Sequence, residues 1–315
     1  MAHRFDARGD RPVRARGGRS VDGAWVWAGR GLRVAIRNVW RRSAPKRETP
    51  PPILIGGFYR SGTTLLRRLL DAHPEVHCPP ELKFMRDLLG EYRDDPYGHL
   101  RFSNTCRALP LAESERLAIW GRAYAELRTR AAERLGKRRW ADKDPENARY
   151  LPYWEQALGS NFVYVHLVRD PLDTLASVRE MGFEKSLPPG LAEQVALWRA
   201  NAEAALQFRE RAPERASVLS YEALVKRPGP TLEALLAWLG LEPDDSLIQG
   251  LTDPARGRGL EDPKIDRTSG IHGEGLGRGV RELDPASQAF IATELGALYL
   301  DLLRASGAAH SIRAR

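Results

Sequence analysis

Arg60, Ser61, Thr63 and Thr64 crowd a single turn punctuated by Gly57 and Gly62. A guanidinium, hydroxyls and the unpaired amides of a helix start all bind anions, and the helix dipole adds to the attraction. The element that must carry them stands just upstream. Ile53-Leu54-Ile55 reads as a buried strand feeding the turn, and Thr63-Thr64-Leu65-Leu66 as the opening of a helix. The glycines let the backbone approach an anion closely. A nucleoside-triphosphate loop carries Lys and then Ser or Thr after its last glycine, for the terminal phosphates and for magnesium. In this chain Thr63-Thr64 follow Gly62, and the cation, Arg60, precedes it. Such a cradle suits a donor with one 5′-phosphate and a transferable group beside it.

A second constellation follows another strand-like run. Asn161-Phe162-Val163-Tyr164-Val165-His166-Leu167-Val168 ends in Arg169-Asp170-Pro171, with Ser177 further along. Pro171 is a natural first residue of a helix, so Arg169 falls at the carboxyl edge of the sheet and Ser177 two turns into the helix. A guanidinium fork matches phosphate oxygens, and a hydroxyl adds a further bond. Taken alone, Arg-Asp-Pro is equally an ordinary strand-to-helix turn with a local ion pair. Lys143 ends the short strand-like stretch Arg138-Arg139-Trp140-Ala141-Asp142, the position where open parallel sheets build their sites. Its bland reading is one more exposed lysine. Tyr221 follows the strand-like Ala216–Ser220, and its plain reading is packing at a strand end.

The first motif and its continuation, Leu69-Leu70-Asp71-Ala72-His73-Pro74-Glu75-Val76, resemble the 5′-phosphosulfate loop of sulfotransferases that use 3′-phosphoadenosine 5′-phosphosulfate (PAPS). The likeness is to the branch that contains the tyrosylprotein sulfotransferases and many bacterial relatives. Tyr59 departs from the proline often found before the arginine. The resemblance implies that Gly57, Arg60, Ser61, Gly62, Thr63 and Thr64 hold the 5′-phosphate and that Arg169 and Ser177 hold the 3′-phosphate. It also implies that Lys143, with Arg60, neutralises charge on the sulfonate and the bridging oxygen, and that Tyr221 lies near the nucleotide. Glu81, after His77-Cys78-Pro79-Pro80, matches the branch's catalytic glutamate. As a base it needs burial to raise its pKa somewhat. Otherwise it is a surface carboxylate opening a helix over Leu82 to Leu89. His77 is an alternative base, whereas His73 and His166 read as structural. A late basic, glycine-rich segment, 264–279, occupies the region where the family folds a loop over the donor. Thr268, Ser269 and Arg278 are its candidate phosphate contacts, although Gly277-Arg278-Gly279 stands where the branch often has Ser-Lys-Trp.

The elements imply an α/β chain with a three-layer αβα, P-loop-like architecture and a central parallel sheet. Residues 51–308 form one domain, 1–50 a basic arm with Trp25, Trp27 and Trp40, and 309–315 a tail. Helices are expected at Leu191–Arg211, Thr231–Leu239 and Pro285–Arg304. The net charge of +8 comes in large part from the arm. That arm is either a disordered basic tail or an amphipathic helix lying on an anionic membrane. No specific nucleic-acid contact is expected. Cys78 and Cys106 are too few for a metal site or a secreted disulfide framework, so no metal is expected. No run reaches membrane-spanning length, and the chain is expected to be cytoplasmic, with the arm as its candidate peripheral membrane contact.

The function implied is sulfuryl transfer from PAPS to an acceptor hydroxyl or amine, without a metal. The acceptor is open among carbohydrate, lipid, natural product and protein. Its pocket is expected in loops at residues 86–135 and 181–195. Two alternatives stand beside this reading. A magnesium-dependent P-loop phosphotransferase would need the missing Gly-Lys step and would have to use Asp170 or Asp144 as the metal ligand. A non-catalytic scaffold would bind membrane or nucleic acid through the arm.

Overall fold

The apolar run Ile53–Gly57 forms β1, buried at every position, in the middle of a parallel sheet. It pairs on one side with β3 (Arg139–Lys143) and on the other with β4 (Val163–Val168). Outside these lie β2 (Val76–His77) and β5 (Ala216–Ser220), giving the order β2-β3-β1-β4-β5. The computed structural model describes residues 50–91, 99–181, 187–244, 247–248 and 270–307. Residues 1–49 of the basic arm, Thr268, Ser269 and the 309–315 tail lie outside the described residues.

Alternation along the strands sorts side chains between two faces, as a pleated backbone must. Ile53, Ile55, Val165 and Leu167 face one helical layer with Leu66, Leu69 and Leu70 of α1 (Thr63–Ala72). Leu54, Phe162 and Tyr164 face the other, with Tyr124, Trp154 and Phe208. With both faces covered, each fully buried aliphatic side chain contributes about 1.5–3 kcal/mol. The expected single α/β domain with helices on both faces of a parallel sheet is the observed one.

Because all the strands run in parallel, their carboxyl ends share one edge. Gly57, Lys143, Val168 and Ser220 end β1, β3, β4 and β5, so the loop after Gly57, Lys143, Arg169 and Tyr221 arrive at that edge together. The register sets Ile55 opposite Lys143 and Gly57 opposite Leu167. Beyond β3, Asp144 N donates to Ile55 O at 3.1 Å and Asn147 Nδ2 to the same carbonyl at 3.0 Å, locking the two strand ends.

Several expected elements differ in extent. The helix expected over Leu82 to Leu89 is α2, Phe84–Leu89, because Lys83 takes a left-handed backbone (φ 52°) that no helix continues. The stretch 86–135, expected to hold acceptor loops, is instead largely helical: α3 (His99–Ala108) and α4 (Glu113–Arg134) account for most of its described part. After α5 (Asn147–Leu158) and β4, the stretch 181–195 opens on the last residue of α6 (Pro171–Met181) and closes at Val195, inside α7 (Leu191–Arg211). The expected helix from Thr231 begins earlier, at Pro228, where proline suits the first turn. Among the described residues, no helix is long and apolar enough to cross a membrane.

Candidate active site

The loop between β1 and α1 is held open by two glycines. A Cβ on Gly57 would meet the Leu167 carbonyl oxygen at 2.5 Å, and one on Gly62 would meet the Tyr221 ring at 2.5 Å. Gly62 also has φ 92°, a conformation that glycine adopts without strain. It precedes α1 with no side chain capping the helix and no acidic residue in its first turn. Ser61 is fully buried, and its Oγ has no hydrogen-bond partner among the described residues. An uncapped helix start beside an unused buried hydroxyl fits an anion. Arg60, also left-handed at φ 66°, turns its side chain back so that Nε donates to Ser177 Oγ at 3.1 Å.

That bond joins the two predicted phosphate motifs. Ser177 is buried on α6, the helix that Asp170 caps by accepting from the amides of Leu172 and Asp173. Arg169 donates from Nη1 to Arg60 O at 3.0 Å and from Nη2 to Gly275 O at 2.6 Å. Its guanidinium lies 4.7 Å over the Tyr221 ring, and its Nε has no hydrogen-bond partner among the described residues. Arg60, Ser61, Arg169, Ser177 and Tyr221 therefore surround one place at the sheet edge.

Lys143 and Glu81 form the neighbouring part of the site. The Lys143 side chain is 1% exposed, so the bland reading of it as a surface lysine is corrected. Its ammonium donates to Glu81 Oε1, and to Thr64 Oγ1 at 3.1 Å. Glu81 reaches this place because its loop is tied to α1: Cys78 N donates to Asp71 Oδ1 at 2.8 Å, and Arg67 Nη1 donates to Cys78 O at 2.7 Å. The second oxygen of Glu81 pairs with Lys83 Nζ at 2.9 Å. Burial alone would raise the Glu81 carboxyl, but the ammonium groups of Lys143 and Lys83 outweigh it and hold the group at about 2. The expected raised pKa is corrected on this point.

Lys83 was not singled out by the sequence. It bridges to Asp144 Oδ1 at 2.8 Å, and its ammonium lies 5.4 Å from the Tyr59 ring centroid. Burial lifts the Asp144 carboxyl to about 6 in spite of Lys83. Asp144 also accepts from Glu146 N at 3.0 Å. The two carboxylates that a magnesium phosphotransferase would have to use are thus engaged, Asp144 by Lys83 and Asp170 as a helix cap.

The histidines have structural partners. His73 Nδ1 accepts from Glu75 N at 3.1 Å while Nε2 meets Glu242 O at 3.0 Å, and His77 Nδ1 lies 3.5 Å from Asp71. His166 is buried mid-strand against the Tyr164 hydroxyl at 2.8 Å. In the late segment, Asp173 takes the amides of Gly277 and Gly279 at 2.8 and 2.9 Å, which brings Gly275 onto Arg169. The segment reaches Arg169 through a carbonyl. Arg278 pairs with Glu180 at 3.0 Å and Glu282 at 2.9 Å.

A parallel αβα sheet whose carboxyl edge gathers a glycine cradle, two arginines and a lysine–glutamate pair defines an anion-handling α/β protein. The chain belongs to the sulfotransferase family, whose model matches residues 51–245. It is 27% identical over 206 residues to protein-tyrosine sulfotransferase A of Caenorhabditis elegans, covering 64% of this chain and 52% of that one. It is 28% identical over 227 residues to nodulation protein NoeE of Sinorhizobium fredii (strain NBRC 101917 / NGR234), covering 64% and 54%. The chain therefore spans about half the length of the curated relatives it matches. In fold it is similar to the sulfotransferase domain of the Synechococcus PCC 7002 olefin synthase, with a TM-score of 0.59 and 23% identity over 80% of this chain and 97% of that one.

Proposed function

We propose that the chain transfers a sulfuryl group from PAPS to an acceptor hydroxyl or amine. The observation that supports this reading is the Arg60–Ser177 bond, which joins the loop after β1 to the helix that follows the Arg169 motif. The amides of the loop and α1, with Gly57 and Gly62 allowing approach and Ser61, Thr63 and Thr64 as hydroxyl donors, hold the 5′-phosphate. Arg169 and Ser177 take the 3′-phosphate, and Tyr221 flanks the nucleotide. Thr268 and Arg278 are proposed as outer phosphate contacts, Arg278 by exchanging a carboxylate for a phosphate.

In the in-line step, the acceptor oxygen or nitrogen forms a bond to sulfur as the bond from sulfur to the bridging oxygen breaks. That electron pair stays on the leaving phosphate, which departs as adenosine 3′,5′-bisphosphate, and the acceptor proton passes to Glu81. Arg60 and Lys143 stabilise the charge that grows on the bridging and sulfonate oxygens, an effect strongest where water is excluded. Lys143 is suited to the task because it is nearly inaccessible to water and already touches both the cradle, at Thr64, and the base. Its move toward the donor removes one of the two cations that depress Glu81, so the base strengthens when the donor is in place.

The test is to incubate the protein with PAPS and a panel of hydroxyl and amine acceptors, and to quantify released adenosine 3′,5′-bisphosphate by chromatography. Acceptor-dependent release is expected in wild type, with a loss of about 10²–10⁴-fold in Glu81→Gln and in Lys143→Met. Magnesium-dependent turnover of ATP with inert PAPS would overturn the reading.

A further inference from the structure

Lys83 stands in a conformation that its side chain does not favour. Among the described residues, Arg60 and Lys83 are the two non-glycine positions with positive φ, and both lie in the site. A lysine has no preference for the left-handed region, where glycine or asparagine would be relaxed. Strain of this kind persists only when the surroundings hold it in place. Here the result is that Lys83 Nζ points inward, 2.9 Å from Glu81 Oε2 and 2.8 Å from Asp144 Oδ1, with its side chain 21% exposed. Lys143 holds the other oxygen of the same carboxylate, Oε1. The two lysines thus divide Glu81 between them, oxygen by oxygen.

We propose that Lys83 is a positioning residue of the transfer reaction: it stays on Oε2 of Glu81 while Lys143 turns to the donor, so that Oε1 is the oxygen that receives the acceptor's proton. The proposal rests on the sulfuryl-transfer reading above and assigns within it a role to a residue and to one atom. Charge counting supports the division. Before the donor arrives, Glu81 and Asp144 balance Lys83 and Lys143. Once Lys143 serves the donor, Glu81, Asp144 and Lys83 together carry one negative charge, which favours proton uptake. After Oε1 is protonated, Lys83 and Asp144 remain as a balanced pair. Without Lys83, two adjacent uncompensated carboxylates would take up a proton more readily but with nothing to direct it to Oε1 of Glu81, and the bond that orients Glu81 would be missing. Among the described residues the Tyr59 phenol also acts on Lys83, while Glu146, beyond β3, acts on Asp144 and Tyr59, and Arg86, on α2, acts on Tyr59. Arg86 and Glu146 face each other at 3.6 Å.

The experiment is a carbon-13 titration of the glutamate carboxyl groups in the full chain saturated with adenosine 3′,5′-bisphosphate, with Glu81→Gln identifying the Glu81 signal. In Lys83→Met the Glu81 midpoint is expected to rise by about one to two pH units over wild type, because a cation beside a carboxylate has been removed. Lys83→Arg is expected to return it to the wild-type value. A midpoint unmoved in Lys83→Met overturns the proposal. Lys83→Gln, neutral but still a donor, provides the same comparison should the methionine variant not fold. Failure of wild type to bind the bisphosphate overturns the donor reading and this proposal with it, whereas binding with an unmoved midpoint overturns this proposal alone.

Discussion

Arg60 Nε donates to Ser177 Oγ at 3.1 Å, a bond between the first loop of the sheet and the helix that follows β4. It closes a ring, because Arg169, at the end of β4, donates back to the Arg60 carbonyl at 3.0 Å. Removing the hydroxyl in Ser177→Ala should leave the fold intact, since the remaining methyl still fills most of the buried site. Loss of a bond to a charged group costs about 1.5–3 kcal/mol. Affinity for adenosine 3′,5′-bisphosphate is therefore expected to fall by about tenfold or more, measured by calorimetry beside a thermal melt. Unchanged affinity would mean that Ser177 serves Arg60 alone.

Gly62→Ala tests the cradle's geometry. The added methyl would stand 2.5 Å from the Tyr221 ring on a backbone with φ 92°. Overpacking and left-handed strain together predict a loss of about 2–4 kcal/mol in urea unfolding. Bisphosphate binding should fall with it. A Gly62→Ala variant as stable as wild type would contradict the close packing of Tyr221 on the loop.

His166 makes stability depend on pH. Burial lowers its pKa to about 3, so the folded chain leaves it neutral while the unfolded chain takes up a proton near pH 6.5. The contribution is complete above pH 6.5 and is lost as pH falls toward 3, at about 1.4 kcal/mol per pH unit. Asp144 works in the opposite sense, because its raised pKa favours the folded state as pH falls below about 6. Comparing wild type with His166→Gln isolates the histidine. Urea unfolding at pH 6.5 and pH 5 should show wild type losing about 2 kcal/mol more than the variant. Equal slopes would refute the buried neutral imidazole.

The two arginines proposed as phosphate contacts, Arg169 and Arg278, should rank in a fixed order. Arg278 must give up Glu180 or Glu282, whereas the Nε of Arg169 has no partner among the described residues. Arg169→Ala is therefore expected to weaken bisphosphate binding more than Arg278→Ala does. The reverse order would place the late segment's arginine at the centre of the site.

The legible part of this site was the part written into contiguous residues. An apolar strand, a glycine turn and a helix start are local signals, and parallel pairing then brings Gly57, Lys143, Arg169 and Tyr221 to one edge without further information. Lys83 was not legible because nothing in Leu82-Lys83-Phe84 signals a left-handed backbone, and its partner Asp144 lies on another strand end. The depressed pKa of Glu81 was missed for the same reason: burial can be anticipated from a sequence, but two ammonium groups from separate elements cannot. The helix α4 is not announced by its sequence, because its buried face includes Gly121 and Arg128 with few large apolar residues. Arg128 is buried there by donating to the Ala141 carbonyl and lying over the Trp140 ring, contacts that periodicity does not reveal.

Calorimetric titration of wild type and Arg169→Ala with adenosine 3′,5′-bisphosphate, and of wild type with ATP and magnesium, tests the central claim most directly. Metal-independent bisphosphate binding, weakened about 10–100-fold in Arg169→Ala, is the predicted result. Preference for magnesium-ATP, or binding indifferent to Arg169, would contradict the account.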